Sequence, residues 1–471
     1  MTSPENDPNC NCGPAQEAAP ETPTERLWAR LSRREALAHA LFGIGALGLR
    51  AVATGLPVSF LLHPTDAKAA ADPAALAQYL ILSMSANGDA LNCNVPGTYD
   101  VAGFDALSMF HADDRAAAGD TRMARQSVAF GAQSYMTAAA WAAIPADVRL
   151  RTQFFHHRTQ TANHGELNKV LALFGSLRRG QQMPAFVATN LAPIFKTIQT
   201  EPVTLGGEAI SFNGRYLPNL TPTGLSSVLQ KPTGLALDMQ SLRDDTLDKI
   251  NAVLKESRNK TAAQREFLDK MVTSQEQLRT LMDNVGTALT NIKDNSATSQ
   301  ALTAALLIKF NVTSVISVHL PFSGDNHNDV GWANEATQTV ASVASINALM
   351  SQLKTYGLQD KVTFATLNVF GRQFNSFDGR GHNPSHSVAV IIGKPWKGGT
   401  VGGLMPDAKK TGVSTDIDSA TGASKLSGGD IPAVDSLSSL VKTVCVAVGV
   451  PPATVEDQIT QGKVVKGALA A

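Results

Sequence analysis

The sequence is poor in aromatic and charged residues. Phe, Trp and Tyr make up 6% of its 471 residues, and Asp, Glu, Lys and Arg together make up 17%. Forty basic residues balance forty acidic ones, so the formal net charge at pH 7 is zero. Proteins that bind nucleic acid through bulk charge or base stacking need an excess of basic or aromatic residues. The composition therefore predicts no nucleic-acid partner, while a hydrophobic content of 43% suffices for a large core.

Cysteine is scarce as well, with four residues in the chain. This number excludes a disulfide-rich scaffold. Cys10 and Cys12 have no second pair of ligands nearby, so they are a weak metal signal. Cys93 and Cys445 either pair in an oxidising compartment or remain free buried thiols, and the sequence leaves both open. The chain also lacks a Gly-x-Ser-x-Gly elbow and a Cys/His quartet, which excludes the serine-hydrolase and zinc-finger patterns.

Residues 1–70 do not resemble part of a folded domain. They begin with a tail rich in Pro, Glu, Thr and Asn, which is the composition of a disordered segment. Arg33 and Arg34 then precede a Gly/Ala-rich apolar run, and Ala67 and Ala69 satisfy a small-x-small cleavage rule. This order predicts a twin-arginine signal peptide, whose partner during export is the twin-arginine translocase.

The alternatives to a cleaved signal are an uncut membrane anchor and an ordinary amphipathic helix. Arg50 interrupts the apolar run and disfavours a spanning helix. We therefore expect a periplasmic or extracellular protein, tethered to the membrane if the signal is not cleaved.

Strands alternate with helices along residues 71–471. Buried strands are predicted at 79–84, 148–155, 314–320, 362–369 and 388–392. Helices are predicted at 105–145, 238–310, 334–356 and 434–448. This rhythm predicts one doubly wound α/β domain, in which residues 176–310 form an irregular and helical insertion.

Within the insertion, residues 238–310 have a helical pattern with apolar residues at spacings of three, four and seven. We interpret it as an antiparallel helical pair packed beside the sheet. A coiled coil between two subunits is the less favoured alternative, since the pattern lasts too few heptads. The sequence leaves the oligomeric state open.

Histidines gather near the ends of predicted strands. Seven of the eight histidines after the signal lie within or shortly after three strands, and the carboxyl ends of strands in a doubly wound sheet converge on one crevice. Together with Asp89 and Asp325 they make a nitrogen and oxygen ligand set that suits zinc, manganese or a similar divalent ion. Asp89 and the Asp325–Asp329 segment are also compatible with plain turns. His386 directly precedes a strand and is open in the same way.

Six short motifs occur in a recognisable order. They are ANGDALNCNVP at 86–96, Asn163-His164, Asp325-Asn326-His327, Phe370-Gly371-Arg372, GRGHNP at 379–384, and Lys397-Gly398-Gly399. In this order the chain resembles a bacterial family of twin-arginine-exported proteins, known only as a domain of unknown function (number fifteen-zero-one). That family is placed in the alkaline phosphatase and sulfatase-like superfamily.

The resemblance implies an alkaline-phosphatase-like sheet and a divalent-metal site. It implies that the metal ligands are Asp89, Asp325, His327 and His382. The other pocket candidates are Asn163, His164, Arg372, Asp378 and His386. It also implies chemistry on small phosphate or sulfate esters, in which metals activate a nucleophile and stabilise charge on the transferred group.

The chain departs from the family pattern at three positions. Gly381 stands where an aspartate is expected before His382, Val369 replaces an acidic residue, and Asn163 replaces the hydroxyl beside His164. Because a missing carboxylate removes a ligand, we expect a reduced metal site. Asp378 is a candidate replacement ligand. Two functions stay open: a metal-dependent phosphate- or sulfate-ester hydrolase, and a non-catalytic exported binding or assembly protein that retains the fold.

Overall fold

The fold is organised around one eight-stranded sheet. The computed structural model describes residues 76–99, 101–104, 121–229, 235–256, 292–375 and 380–470, with scattered positions between 261 and 289. In chain order the strands of the sheet are β1 (Tyr79–Ser85), β2 (Thr152–His157), β3 (Val203–Leu205), β4 (Asn219–Leu220), β5 (Val315–Val318), β6 (Val362–Asn368), β7 (Ser387–Ile392) and β8 (Gly399–Val401).

The sheet is mixed, with the strand order β8-β2-β7-β6-β1-β5-β3-β4. Strand β1 pairs in parallel with β6 and β5, and β3 extends the parallel run to β4. Only β7 runs against both of its neighbours, β6 and β2. The carboxyl ends of β1, β2, β5 and β6 therefore lie at one edge of the sheet, together with the amino end of β7.

Helices cover both faces of the sheet. The described α-helices are α1 (Ala146–Arg149), α2 (Leu167–Leu171), α3 (Met183–Phe195), α4 (Pro222–Leu229), α5 (Leu235–Glu256), α6 (Ala297–Lys309), α7 (Ala333–Thr355), α8 (Ser436–Ala447) and α9 (Pro452–Gln458). Tyr79 and Ile81 of β1 pack in the core that contains α6 and α7. Leu80 and Leu82 pack in the core that contains α3, α8 and α9. Because alternate side chains of β1 enter different cores, the strand is buried along its whole length.

Short two-stranded ribbons decorate the sheet. They pair Arg125–Phe130 with Gln133–Ala138, Ser211–Phe212 with Arg215–Tyr216, Gly371–Arg372 with His382–Asn383, Leu404–Met405 with Val413–Ser414, and Asp416–Ile417 with Ser424–Lys425. The third ribbon carries two candidate site residues, Arg372 and His382, which lie opposite one another in its register.

Most of the predicted elements are confirmed. The five predicted strands correspond to β1, β2, β5, β6 and β7, and the helices predicted at 334–356 and 434–448 correspond to α7 and α8. The α/β class is confirmed, since a large mixed sheet has helices on both faces. The segment 176–310, predicted as an insertion, contributes α3, β3, β4 and α6 to the sheet and its two faces.

The helix predicted over 105–145 is wrong in its described part, because residues 125–138 form an antiparallel ribbon. Val128 and Phe130 are buried while Ser127 and Ala129 are exposed, so the apolar period at the end of the first strand is two and not 3.6. Gly131 makes the turn with φ of +61°, a conformation that favours glycine.

Several predictions concern residues outside the described part of the chain. The tail and signal at 1–70, with Arg33 and Arg34, lie there, as does Asp378. Among the described helices, none is both long and apolar enough to cross a membrane. Cys93 and Cys445 are buried free thiols, so they do not pair with each other.

Candidate metal centre

Four side chains converge at the edge where the parallel strands end. They are His164 from the loop after β2, Asp325 and His327 from the loop after β5, and His382 from the ribbon after β6. Each offers one donor atom, and the four donor atoms all lie within 4.8 Å of one another. Asp325 and His327 are exposed, whereas His164 and His382 are half-buried. The group is therefore open to solvent on one side and supported by protein on the other.

Backbone carbonyls hold two of the imidazoles. Nδ1 of His164 lies 2.6 Å from the carbonyl oxygen of Ala86, and Nδ1 of His382 lies 2.5 Å from that of Ala162. A carbonyl oxygen only accepts, so each Nδ1 carries the proton and donates it. In the neutral ring Nε2 then carries a free lone pair, and the Nε2 atoms of both histidines face the cluster. Metal-ligating histidines are typically oriented in this way by their second nitrogen.

The ring of Phe370 packs against the imidazoles of both His164 and His382. Its ring stacks on His382 with centroids 4.2 Å apart and meets the ring of His164 at 5.0 Å. Phe370 is fully buried. A Cβ on Gly88 would lie 1.8 Å from the Phe370 ring, so only glycine allows the loop after β1 to pass this close.

Arg372 fixes the carboxylate of the cluster. Its Nη2 donates to Oδ1 of Asp325 at 2.7 Å, although the Arg372 side chain is fully buried and that of Asp325 is 45% exposed. Partial burial alone would raise the pKa of Asp325, but the hydrogen bond and charge of Arg372 outweigh it, so the pKa is lowered. Asp325 is thus held as a carboxylate, the form that binds a metal ion.

The Arg372 guanidinium is itself clamped by main-chain carbonyls. Nε lies 2.5 Å from the oxygen of Gly88, Nη2 lies 2.6 Å from that of Asn87, and Nη1 lies 3.2 Å from that of Arg380. Asn92 fixes the Arg372 backbone, since its amide accepts from Arg372 N and donates to Arg372 O, both at 2.9 Å. Because three carbonyls hold its guanidinium, Arg372 presents a fixed positive charge to Asp325.

His327 differs from the other two imidazoles of the cluster. Its Nε2 lies 2.5 Å from Nε2 of His382, 3.5 Å from Oδ1 of Asp325 and 3.4 Å from Nη1 of Arg372. No described residue forms a hydrogen bond with its Nδ1, and the side chain is 45% exposed. His327 therefore has the least constrained ring of the three.

Asp89, predicted as a ligand, does not belong to this cluster. Its carboxylate points inward: Oδ1 accepts from Ser85 Oγ at 3.0 Å and Oδ2 accepts from Phe322 N at 3.1 Å. Burial raises the pKa of Asp89, an effect that His319, these hydrogen bonds and Arg372 only partly offset. In the structure Asp89 connects the loops after β1 and β5.

His386, another pocket candidate, belongs to a separate buried chain of hydrogen bonds. His156 Nε2 donates to the Pro96 carbonyl at 3.0 Å, and its Nδ1 lies 3.0 Å from His386 Nε2. His386 Nδ1 in turn lies 3.2 Å from Nδ2 of Asn92. Burial lowers the pKa of His156 to about 4 and that of His386 well below its usual value, so both rings are neutral.

Asn163 occupies the position where the family pattern predicts a residue with a hydroxyl. It is exposed, and its Oδ1 accepts from Gly165 N at 2.9 Å, which caps the turn that carries His164. The neighbouring hydroxyl of Thr161 is engaged by Glu166 Oε2 at 2.6 Å. Neither side chain supplies a free hydroxyl to the cluster.

Gln373 fills the space beside Gly381, where the resemblance expects an aspartate. A Cβ on Gly381 would lie 2.7 Å from Oε1 of Gln373. The Gln373 amide also donates to the carbonyl of His382 at 3.1 Å. Position 381 thus offers no carboxylate, and the neighbouring Gln373 amide supports the ribbon that carries His382.

The profile of the family described as "Protein of unknown function (DUF1501)" matches residues 174–420, more than half of the chain. The chain belongs to this family. Asp325, His327, Arg372 and His382 lie inside the matched segment, and His164 lies just before it. Among curated proteins, none matches the chain.

The sequence identified three of the four clustered side chains as ligands and placed His164 only among the pocket candidates. His164 follows β2 by a loop, as Asp325 follows β5, so its place after a strand end was a usable signal. The contact that orients it, with the carbonyl of Ala86, comes from a different strand loop and has no local signature.

Proposed function

We propose that this chain is an exported, metal-dependent hydrolase of small phosphate or sulfate esters with a single reduced metal site. One observation carries the proposal: two imidazoles anchored through Nδ1 turn their Nε2 lone pairs toward a carboxylate that a buried arginine keeps ionised. The placement in the alkaline phosphatase and sulfatase-like superfamily is part of this proposal, supported by the order of motifs. Export by the twin-arginine route is supported by Arg33, Arg34 and the apolar run after them.

The donor set fits a divalent ion. Three imidazole nitrogens and one carboxylate oxygen are ligands that zinc takes readily, and manganese and related ions accept the same set. His164 and His382 are already in the tautomer that ligation needs, and Asp325 is already charged. A bound ion would supply Lewis acidity, lower the pKa of a water molecule and neutralise charge on the ester.

The residues of the cluster have different roles in this proposal. His164, His382 and Asp325 hold the ion, since each is fixed from behind by a carbonyl or by Arg372. His327, the least constrained ring, either completes the ligand set or carries a proton to or from the ester. Arg372 orients Asp325 and does not contact substrate, because its side chain is fully buried. The exposed side of the cluster admits the ester.

Water is the nucleophile in this proposal. Asn163 has no hydroxyl, and the Thr161 hydroxyl is bound to Glu166. Hydrolysis then transfers the phosphoryl or sulfuryl group to water and releases the alcohol, with one proton moving from the attacking water to the leaving oxygen. No covalent enzyme intermediate forms.

The second candidate is a non-catalytic exported binding or assembly protein that retains the fold and the metal group. Two departures from the family pattern favour it: Asn163 stands where a hydroxyl is expected, and Gly381 stands where a carboxylate is expected. The two candidates share the metal site and differ in turnover.

Turnover separates them. The purified protein, dialysed against zinc, manganese or calcium, is assayed on p-nitrophenyl phosphate, bis-p-nitrophenyl phosphate and p-nitrophenyl sulfate. The hydrolase proposal predicts release of p-nitrophenol that chelator abolishes and that Asp325→Asn and His382→Ala remove. Asn347→Ala, in α7, is the control that keeps the rate, because the Asn347 side chain donates to the carbonyl of Ala143 at 2.9 Å and contacts no residue of the cluster. Metal binding without turnover on any ester would establish the second candidate and reject the first.

A further inference from the structure

Three successive carbonyls of the loop after β1 hold two parts of the metal centre. The carbonyl oxygen of Ala86 accepts from Nδ1 of His164 at 2.6 Å. The next two, of Asn87 and Gly88, accept from Nη2 and Nε of Arg372 at 2.6 Å and 2.5 Å. Arg372 in turn holds the carboxylate of the cluster. The path of this loop therefore sets the position of one imidazole and of the arginine that fixes the carboxylate.

Two buried side chains fix the path of the loop. The Ser85 hydroxyl accepts from the backbone N–H of Asn87 at 3.1 Å and donates to Oδ1 of Asp89 at 3.0 Å. The other carboxylate oxygen of Asp89, Oδ2, accepts from the backbone N–H of Phe322 at 3.1 Å. Both side chains are buried. They thus close the loop from its two ends and tie it to the segment that leads to Asp325.

The main chain of the loop is held at its ends and leaves its middle to side chains. Main-chain hydrogen bonds hold Ser85 at one end and Ala90 at the other. Between these ends the N–H of Asn87 bonds to a side chain. Removing the Ser85 hydroxyl or the Asp89 carboxylate should therefore loosen residues 86–88, while both ends of the loop keep their main-chain contacts.

We propose that Asp89 and Ser85 are positioning residues of the metal centre, which act through the carbonyls of residues 86–88 without binding the ion. This inference rests on the metal site of the proposed function and not on turnover. Partners that orient ligands from behind typically change metal affinity about 10- to 100-fold. Loss of a true ligand also changes the coordination of the ion.

Zinc titration measures the effect on affinity. Asp89→Ala and Ser85→Ala are each expected to lower zinc affinity about tenfold or more, because the loop carbonyls no longer hold their partners in place. Thr152→Val is the matched control. It removes a buried hydrogen bond, from Thr152 Oγ1 to the carbonyl of Val148 at 2.9 Å, at the amino end of β2. Its zinc affinity should equal that of the wild type.

A double-mutant cycle separates positioning from loss of stability. Arg372→Gln and Asp89→Ala both disturb the hold on the carboxylate of the cluster, so the double variant should lose less affinity than the product of the two single losses. A purely structural effect of Asp89→Ala would multiply with that of Arg372→Gln. Circular dichroism checks that the variants are folded. If Asp89→Ala does not fold, Ser85→Ala takes its place in the cycle.

Cobalt tests whether Asp89 is itself a ligand. Co²⁺ replaces Zn²⁺ in sites of this kind, and its visible absorption spectrum reports the donors around the ion. Asp89→Asn keeps the size of the side chain, so its cobalt spectrum should match that of the wild type. Asp325→Asn replaces a ligand and should change the spectrum.

Nitrogen NMR of the metal-free protein tests the loop without any ion. The Nε–H of Arg372 donates to the carbonyl of Gly88, and its resonance is assigned by its absence in Arg372→Lys. The resonance should shift in Ser85→Ala and Asp89→Ala and stay in place in Thr152→Val.

The outcomes distinguish the inference from the proposed function. A wild type that binds no metal would reject the metal centre, and this inference with it. A wild type that binds zinc, with unchanged affinity or an unshifted Arg372 resonance in both Ser85→Ala and Asp89→Ala, would reject the positioning role alone. A changed cobalt spectrum in Asp89→Asn would make Asp89 a ligand and would also overturn the proposal.

Discussion

Arg372 donates a 2.7 Å hydrogen bond to Asp325 from a position that is completely buried, while its carboxylate partner is almost half exposed. We expect this contact to set the metal affinity. Arg372→Gln should lower zinc affinity about 10- to 100-fold, because Asp325 loses both its orientation and its neutralising charge. Arg372→Lys keeps the charge but not the fork, and an intermediate loss is expected. Isothermal titration with zinc measures both, and equal affinities for all three proteins would contradict the role given to Arg372.

The carbonyl anchors predict unequal contributions from the three histidines. His164→Ala and His382→Ala should each reduce zinc affinity more than about 100-fold, because each removes a donor that is already oriented. His327→Ala should reduce it only about tenfold, since its ring has no such anchor. Competition with a chromogenic chelator provides the constants. If His327→Ala lowers zinc affinity more than the other two variants do, the ligand roles given to the three histidines are wrong.

Asn163 predicts a gain of function. Asn163→Ser places a hydroxyl beside His164, where the resemblance expects one, and should raise turnover of p-nitrophenyl phosphate or sulfate by about tenfold. Asn163→Ala removes the same amide without adding a hydroxyl, so it is the matched control, and thermal unfolding of both variants corrects for the cap that serine can keep and alanine cannot. Equal rates for the serine and alanine variants would show that this position does not face the reacting group.

Buried neutral histidines predict acid sensitivity. Burial lowers the pKa of His157 to about 3, an effect that the nearby backbone of Arg158 only partly offsets, and neither ring nitrogen has a partner at hydrogen-bond geometry among the described residues. Unfolded histidine titrates near its ordinary value of 6.5. Between these values the unfolded state binds more protons, so the free energy of unfolding decreases as pH falls from about 6.5 toward 3. Each such histidine contributes a slope of about 1.4 kcal/mol per pH unit.

Two leucine variants separate this effect from packing. His157→Leu should change stability little at pH 7.5 and flatten the decline below pH 6, since it removes a proton site without breaking a hydrogen bond. His156→Leu removes the same kind of proton site but leaves the Pro96 carbonyl and His386 without their partner, so it should destabilise the protein at pH 7.5 as well. Guanidinium unfolding at pH 7.5, 6.0 and 5.0 measures both. A His157→Leu variant with the pH dependence of the wild type would contradict the assignment.

The sequence predicted the edge of the sheet at which the site lies better than it predicted the members of the site. Strand ends follow from apolar runs and turn residues, and these located Asp325, His327 and His382. Which way a side chain points after a strand depends on contacts made by other loops. Asp89 turns inward to Ser85 and to the backbone of Phe322, and His164 turns toward the cluster because the Ala86 carbonyl accepts its proton.

The ribbon at 125–138 shows a second limit. An Ala-rich stretch has helical propensity, and the alternation that marks a strand covers only Ser127 to Phe130 there. Pairing with the following strand through the turn at Gly131 decides the outcome, and that pairing is tertiary information.

Metal content tests the central claim most directly. Protein purified from its native compartment, or reconstituted with zinc and desalted, is measured by inductively coupled plasma mass spectrometry together with the His164→Ala/His382→Ala double variant and the Asn347→Ala control. A single site predicts about one ion per chain in the wild type and the control, and almost none in the double variant. Absence of bound metal in the wild type, or equal metal in the double variant, would contradict a metal centre at His164, Asp325, His327 and His382.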